Sequence, residues 1–78
     1  VELCCAVNRR GEKLLLAINW DQKPRSVTMR DDAAFRAGPQ EAYRLNADGR
    51  WGRWEGPIRP DLRLQAGEVL VARFPAQP

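Results

Sequence analysis

Ten carboxylates are the first residues to weigh, because a pair of Asp or Glu side chains is what glycoside hydrolysis uses as acid and as base or nucleophile. Asp21, Asp31, Asp32, Asp48 and Asp61 all fall in predicted turns or loops, where a short acidic side chain serves the backbone. A chain of 78 residues also has little depth in which to raise a carboxyl pKa. No catalytic residue is expected. Histidine is absent, which removes Ser-His-Asp and Cys-His nucleophiles and histidine zinc sites. The two cysteines, Cys4 and Cys5, are neighbours in a predicted strand, so their side chains diverge and a bridge between them would be strained. They are expected to be reduced, one buried and one on the other face. No metal-ligand spacing and no glycine-rich phosphate loop occurs, and neither cofactor nor metal is expected.

The aromatic group Tyr43, Trp51 and Trp54 is the candidate for carbohydrate binding, because Trp and Tyr faces stack on sugar rings and bases. The run Gly49-Arg50-Trp51-Gly52-Arg53-Trp54 interleaves two indoles with cations that could grip phosphate. Trp51 and Trp54 are three positions apart, so in a regular strand they face opposite ways and only one joins any single platform unless Gly52 marks a bulge. The competing reading is that one completes a small core and the other shields a sheet edge. The net charge of +3 comes from 13 basic and 10 acidic residues, and apart from the adjacent Arg9 and Arg10 the arginines are dispersed along the chain. A phosphate backbone calls for several cations on one face, so nucleic acid is not an expected partner.

These residues must be held by a single small domain, 1–78, since this length leaves no room for a second core. At 44% hydrophobic and 29% charged the chain is too apolar for intrinsic disorder. No apolar run is long enough to span a bilayer as a helix, and no membrane partner is expected. Period-two alternation predicts strands almost throughout. Val1 to Asn8 alternates, Arg9 to Glu12 turns at Gly11, and Lys13 to Trp20 is apolar on both faces, as suits a central strand. Leu14, Leu16, Ile18 and Trp20 are expected to form its core face. Arg25 to Arg30 resumes alternation with Val27 and Met29 inward and should close a hairpin with the preceding strand. A helical turn is expected in Asp31 to Pro39, with Phe35 plugging one end of the core.

Gln40 to Leu45 and Trp51 to Trp54 flank Asp48-Gly49, a strong hairpin signal. Gly56-Pro57 and Pro60 confine Ile58 to an edge or irregular segment. Leu62 and Leu64 point inward, Ala66-Gly67 turns, and Val69 to Phe74 is a final strand apolar on both faces that belongs inside a sheet beside an early strand. The fold class is therefore all-β: a small antiparallel Greek-key β-sandwich of six to seven short strands.

The segment Lys13-Leu-Leu-Leu-Ala-Ile-Asn-Trp-Asp-Gln-Lys-Pro-Arg-Ser-Val-Thr-Met29 resembles the strand, Asn, polar turn, Pro, Val-rich strand pattern of the C-terminal β-sandwich domains of glycoside hydrolases of the α-galactosidase, β-galactosidase and α-amylase types. Ala42 to Leu45, followed by Leu62 to Phe74, is similar to their closing pattern, and the two matches, 34 of the 78 residues, come in family order. The stretch from Asp48 to Pro60 departs from it, being longer and more aromatic.

The resemblance implies an accessory C-terminal domain of a bacterial-type glycoside hydrolase, acting in carbohydrate metabolism. It would be non-catalytic itself, because the catalytic carboxylates of these enzymes lie in an upstream barrel. Its expected partner is that upstream catalytic domain of the same chain, with an oligosaccharide as a secondary one. A start at Val1, directly in a strand, fits a domain excised from a larger enzyme. The alternatives are a small β-barrel binding single-stranded nucleic acid through Trp51, Trp54 and nearby arginines, and a carbohydrate-binding module. Reduced cysteines point to a cytoplasmic location.

Overall fold

The computed structural model describes residues 1–29, 38–46, 48–54 and 58–76. They form seven strands: β1 (Glu2–Val7), β2 (Lys13–Ile18), β3 (Arg25–Thr28), β4 (Glu41–Leu45), β5 (Trp51–Arg53), β6 (Asp61–Leu64) and β7 (Val69–Phe74). A five-stranded sheet runs β1-β2-β7-β4-β5 and a two-stranded sheet pairs β3 with β6, every ladder antiparallel. The chain is an all-β sandwich. Its last strand lies between β2 and β4, where a strand apolar on both sides belongs.

Two hairpins share one turn chemistry. In the β1–β2 connection the Asn8 N–H donates to the Glu12 carbonyl at 3.0 Å and the Gly11 N–H to the Asn8 carbonyl at 3.0 Å. The β4–β5 connection repeats this with Asn46, Arg50 and Gly49. Gly11 and Gly49 sit at φ of 79° and 83°, a conformation that costs glycine little and other residues more. The asparagine side chain finishes the first turn, its Oδ1 accepting from the Arg10 and Glu12 N–H groups.

The core lies between the sheets. Leu15 and Ala17 of β2, Ala42 of β4, Leu62 and Leu64 of β6, and Leu70, Ala72 and Phe74 of β7 are buried together with Met29 and Ile58, while Val27 and Trp54 pack against them. Ile58 lies outside the strands, as its prolines require, yet only 1% of it is exposed.

Three expectations are corrected. The inward face of β2 carries Leu15 and Ala17; Leu14, Leu16 and Trp20 are exposed, and Ile18 is half-buried. Both faces of that strand are apolar, so alternation alone could not choose between them. Second, β3 does not close a hairpin with β2. It crosses to the other sheet and pairs with β6, where Val27 faces Leu62. Third, both cysteines are exposed, because β1 is an edge strand that overhangs the narrower second sheet. The helical turn over 31–37 and the Phe35 plug lie outside the described residues.

Candidate interaction surface

The ladders fix which side chains share the outer face of the five-stranded sheet. One row crosses all five strands as Cys4, Leu16, Val71, Tyr43 and Arg53; the row beside it is Glu2, Ile18, Val69, Leu45 and Trp51. A third row is Ala6, Leu14, Arg73 and Glu41. Ten of these fourteen positions are apolar, and no described strand covers them. Leu14, Leu16 and Val71 are 37–38% exposed, Tyr43 44% and Trp51 58%. Contiguous exposed apolar patches are a common feature of interaction surfaces, which makes this face the candidate.

Charges border the patch. Arg73 bridges two carboxylates, Nη1 to Glu12 at 3.4 Å and Nη2 to Glu41 at 3.3 Å, so the cation nearest the centre is already neutralised. Beside it a shallow groove of about 300 Å³ is lined by Leu14, Glu41, Tyr43, Val71, Ala72 and Arg73.

Of the three candidate sugar-binding residues, the register brings two together. Tyr43 lies opposite Arg53 and Trp51 opposite Leu45, so Tyr43 and Trp51 are diagonal neighbours on the outer face, within reach of one extended ligand. Trp54 is on the other side. Its backbone N–H donates to the Ala42 carbonyl at 2.9 Å, continuing the β4–β5 ladder one step, and its ring packs on the core with the Arg44 guanidinium 5.5 Å from the ring centroid. Gly52 makes no bulge there, since it stays in register opposite Arg44.

Among the described residues two carboxylates are buried, Glu12 and Glu68, and both are tied to hydrogen-bond donors and arginine. Glu68 accepts from the Gln65 N–H at 3.2 Å and lies 3.5 Å from Arg44 Nη1, and Glu12 accepts from Asn8 Nδ2 at 2.9 Å. Asp48 accepts from the Arg50 N–H within its turn. Asp21 pairs with Arg25 at 2.6 Å, and this hydrogen-bonded guanidinium, helped by the Gln22 N–H, holds its carboxyl below the usual range. Each of these serves local structure.

Asn19 is a structural anchor that composition and spacing did not single out. Fully buried at the end of β2, it donates through Nδ2 to the carbonyls of Lys23, Leu64 and Gln65 at 2.9, 3.2 and 3.0 Å, and its Oδ1 accepts from the Asp21 N–H. One side chain thereby joins the first sheet to the end of β6 in the second. The available signal was a lone amide between an apolar strand and a polar turn.

Comparison of the chain with protein-family models, curated proteins and solved structures finds no match.

Proposed function

We propose that this domain is a non-catalytic accessory module of a bacterial-type glycoside hydrolase and packs through the outer face of its five-stranded sheet on the catalytic domain of the same protein. The observation that carries the reading is the apolar face across all five strands. An isolated sandwich gains nothing from Leu16, Val71 and Leu14 in water, whereas a domain interface of about 600–1,500 Å² is built from such residues. The glycosidase parent rests on the resemblance of Lys13 to Met29 and Leu62 to Phe74, and the Asn19 anchor supports that pattern by giving its asparagine a structural role.

The test uses the upstream coding region. Co-expressed as a separate polypeptide, the catalytic domain should co-purify with the wild-type chain and be lost with Leu16→Lys plus Val71→Lys. The chain alone should release no product from a panel of aryl glycosides. An upstream region without a barrel, co-purification indifferent to the double variant, or turnover abolished by one Asp or Glu substitution would each remove this reading.

A second reading is favoured by one observation, the shared face of Tyr43 and Trp51 beside the groove at Arg73 and Glu41. Such a platform would stack on a neutral sugar, giving binding that salt does not weaken and that Trp51→Ala abolishes. Nucleic-acid binding would instead weaken steeply with salt.

A further inference from the structure

Among the described strands, the four at sheet edges are not protected alike. β5 is three residues long, contains Gly52, follows Arg50 and ends in Arg53. β3 follows Pro24 and starts with Arg25, and β6 follows Pro60 and carries Asp61 and Arg63. Short strands, prolines and charges are the usual means by which edges avoid pairing. β1 has none of them beyond Glu2 at its start. It runs six residues in unbroken register with β2, and every residue in it is exposed.

Two hydrogen bonds establish which backbone groups point out from that edge. Asn8 N–H donates to the Glu12 carbonyl across β1–β2, and Asn19 N–H to the Glu68 carbonyl across β2–β7. Alternation along the ladders then turns Glu2, Cys4 and Ala6 toward β2 and leaves the N–H and C=O groups of Leu3, Cys5 and Val7 facing away from it.

We propose that a second copy of this chain pairs with β1, antiparallel, in the register that sets Cys4 against Cys4 of the second copy. The strand is self-complementary in that arrangement: Val1 meets Val7, Leu3 meets Cys5, Glu2 meets Ala6, and each pair lies on one face. The outward groups of the odd residues then make about eight backbone hydrogen bonds. Charge selects the direction. Antiparallel pairing carries Glu2 of each copy toward the Arg9-Arg10 turn of the other, whereas parallel pairing would set Glu2 beside Glu2. The result is a two-fold, ten-stranded sheet whose dimer contact is separate from the centre of the outer face.

The register makes a specific chemical forecast. Cys4 and its counterpart would form a non-hydrogen-bonded pair about 4.5 Å apart at Cα, within disulfide range. Cys5 and its counterpart would be diagonal, about 7–8 Å apart and beyond it. Diamide, which takes up the two electrons and two protons that the thiols give up, should therefore link most of the Cys5→Ser variant into covalent dimer and link the Cys4→Ser variant at least ten-fold less. Sedimentation should show concentration-dependent dimer for the wild type, retained in Leu16→Lys. It should be lost in Cys5→Pro, where the deleted N–H is one that β2 does not use.

Amide exchange keeps the test decisive if Cys5→Pro fails to fold. In the wild type, Leu3, Cys5 and Val7 should exchange at least ten-fold more slowly at high concentration than at low, while Cys4 and Ala6 stay protected throughout. A monomer at every concentration overturns the proposal. So does unprotected exchange at the odd residues, preferential Cys5 crosslinking, or a dimer lost in Leu16→Lys, which would place the contact on the sheet face.

Discussion

Leu15 and Leu16 are adjacent residues of one strand with the same side chain, and they have opposite fates. Leu15 is 1% exposed between the sheets, while Leu16 is 37% exposed on the outer face. Their difference is entirely one of cover: β3 and β6 lie over the inner face, and no described strand lies over the outer one. Burial is therefore a property of the neighbouring layer, and an apolar residue that the domain's own second layer leaves bare is where an external layer is to be sought.

The sharpest way to break this comparison is to truncate each leucine. Leu15→Ala should cost about 2–5 kcal/mol, because it removes contacts and leaves a cavity that a two-layer core cannot fully close. That is a large share of the stability of a small domain. Leu16→Ala should cost less than about 1 kcal/mol in the isolated chain, since most of its surroundings are already water or the flat face of the same sheet. Denaturant melts of the two variants with equal midpoints would mean that the inner and outer faces have been exchanged.

A polar residue sharpens the same contrast. Asn19→Ala should cost about 1–3 kcal/mol, because three backbone carbonyls and the Asp21 N–H lose a buried partner that no water replaces without rearrangement. Asn19→Asp should be no better at neutral pH: it keeps an acceptor for Asp21 but turns a carboxylate toward the carbonyls of Lys23, Leu64 and Gln65. Thermal melts in which Asn19→Asp matched the wild type would show that the amide is not what joins the sheets.

The positions of the strands and turns could be read from the chain because both depend on neighbours in sequence. Period-two alternation marks β1, β4 and β6, and Gly11, Gly49 and Gly67 stand at turns where φ is positive. The inner face of β2 could not be read, because Leu14, Leu16 and Ile18 outweigh Leu15 and Ala17 in volume while the smaller pair is the one that fits between the layers. The pairing of β3 with β6 was also beyond local reading, since the natural local choice is the hairpin with β2 and the actual partner lies more than thirty residues away. Of the aromatic group, opposite facing of Trp51 and Trp54 follows from their spacing, but which of them joins Tyr43 is decided by the β4–β5 register. The exposed β1 was legible as a strand and illegible as an edge, because strand order is set by the C-terminal strand arriving between β2 and β4.

The smallest expected effect lies on the loop that leads out of the first sheet. Asp21 receives the Arg25 Nε–H at 2.7 Å and the Gln22 N–H at 2.7 Å, and its carboxyl is held below the usual range by these groups. A carboxyl depressed in the folded state adds stability at pH values above its unfolded value, about 3.9, and loses that contribution as pH falls through the folded value. The pair is exposed, so solvent and salt keep it weak. Wild type should therefore be slightly more stable than Asp21→Asn at pH 6, and the gap should close as the pH is lowered below about 4. Raising the ionic strength at pH 6 should shrink the gap as well. The comparison must be made as a difference between the two proteins at each pH, because other carboxylates titrate over the same range and cancel only in the difference. A gap that stayed constant down to pH 2 would assign the effect to the shape of the Asn19–Lys23 turn rather than to the charge of Asp21.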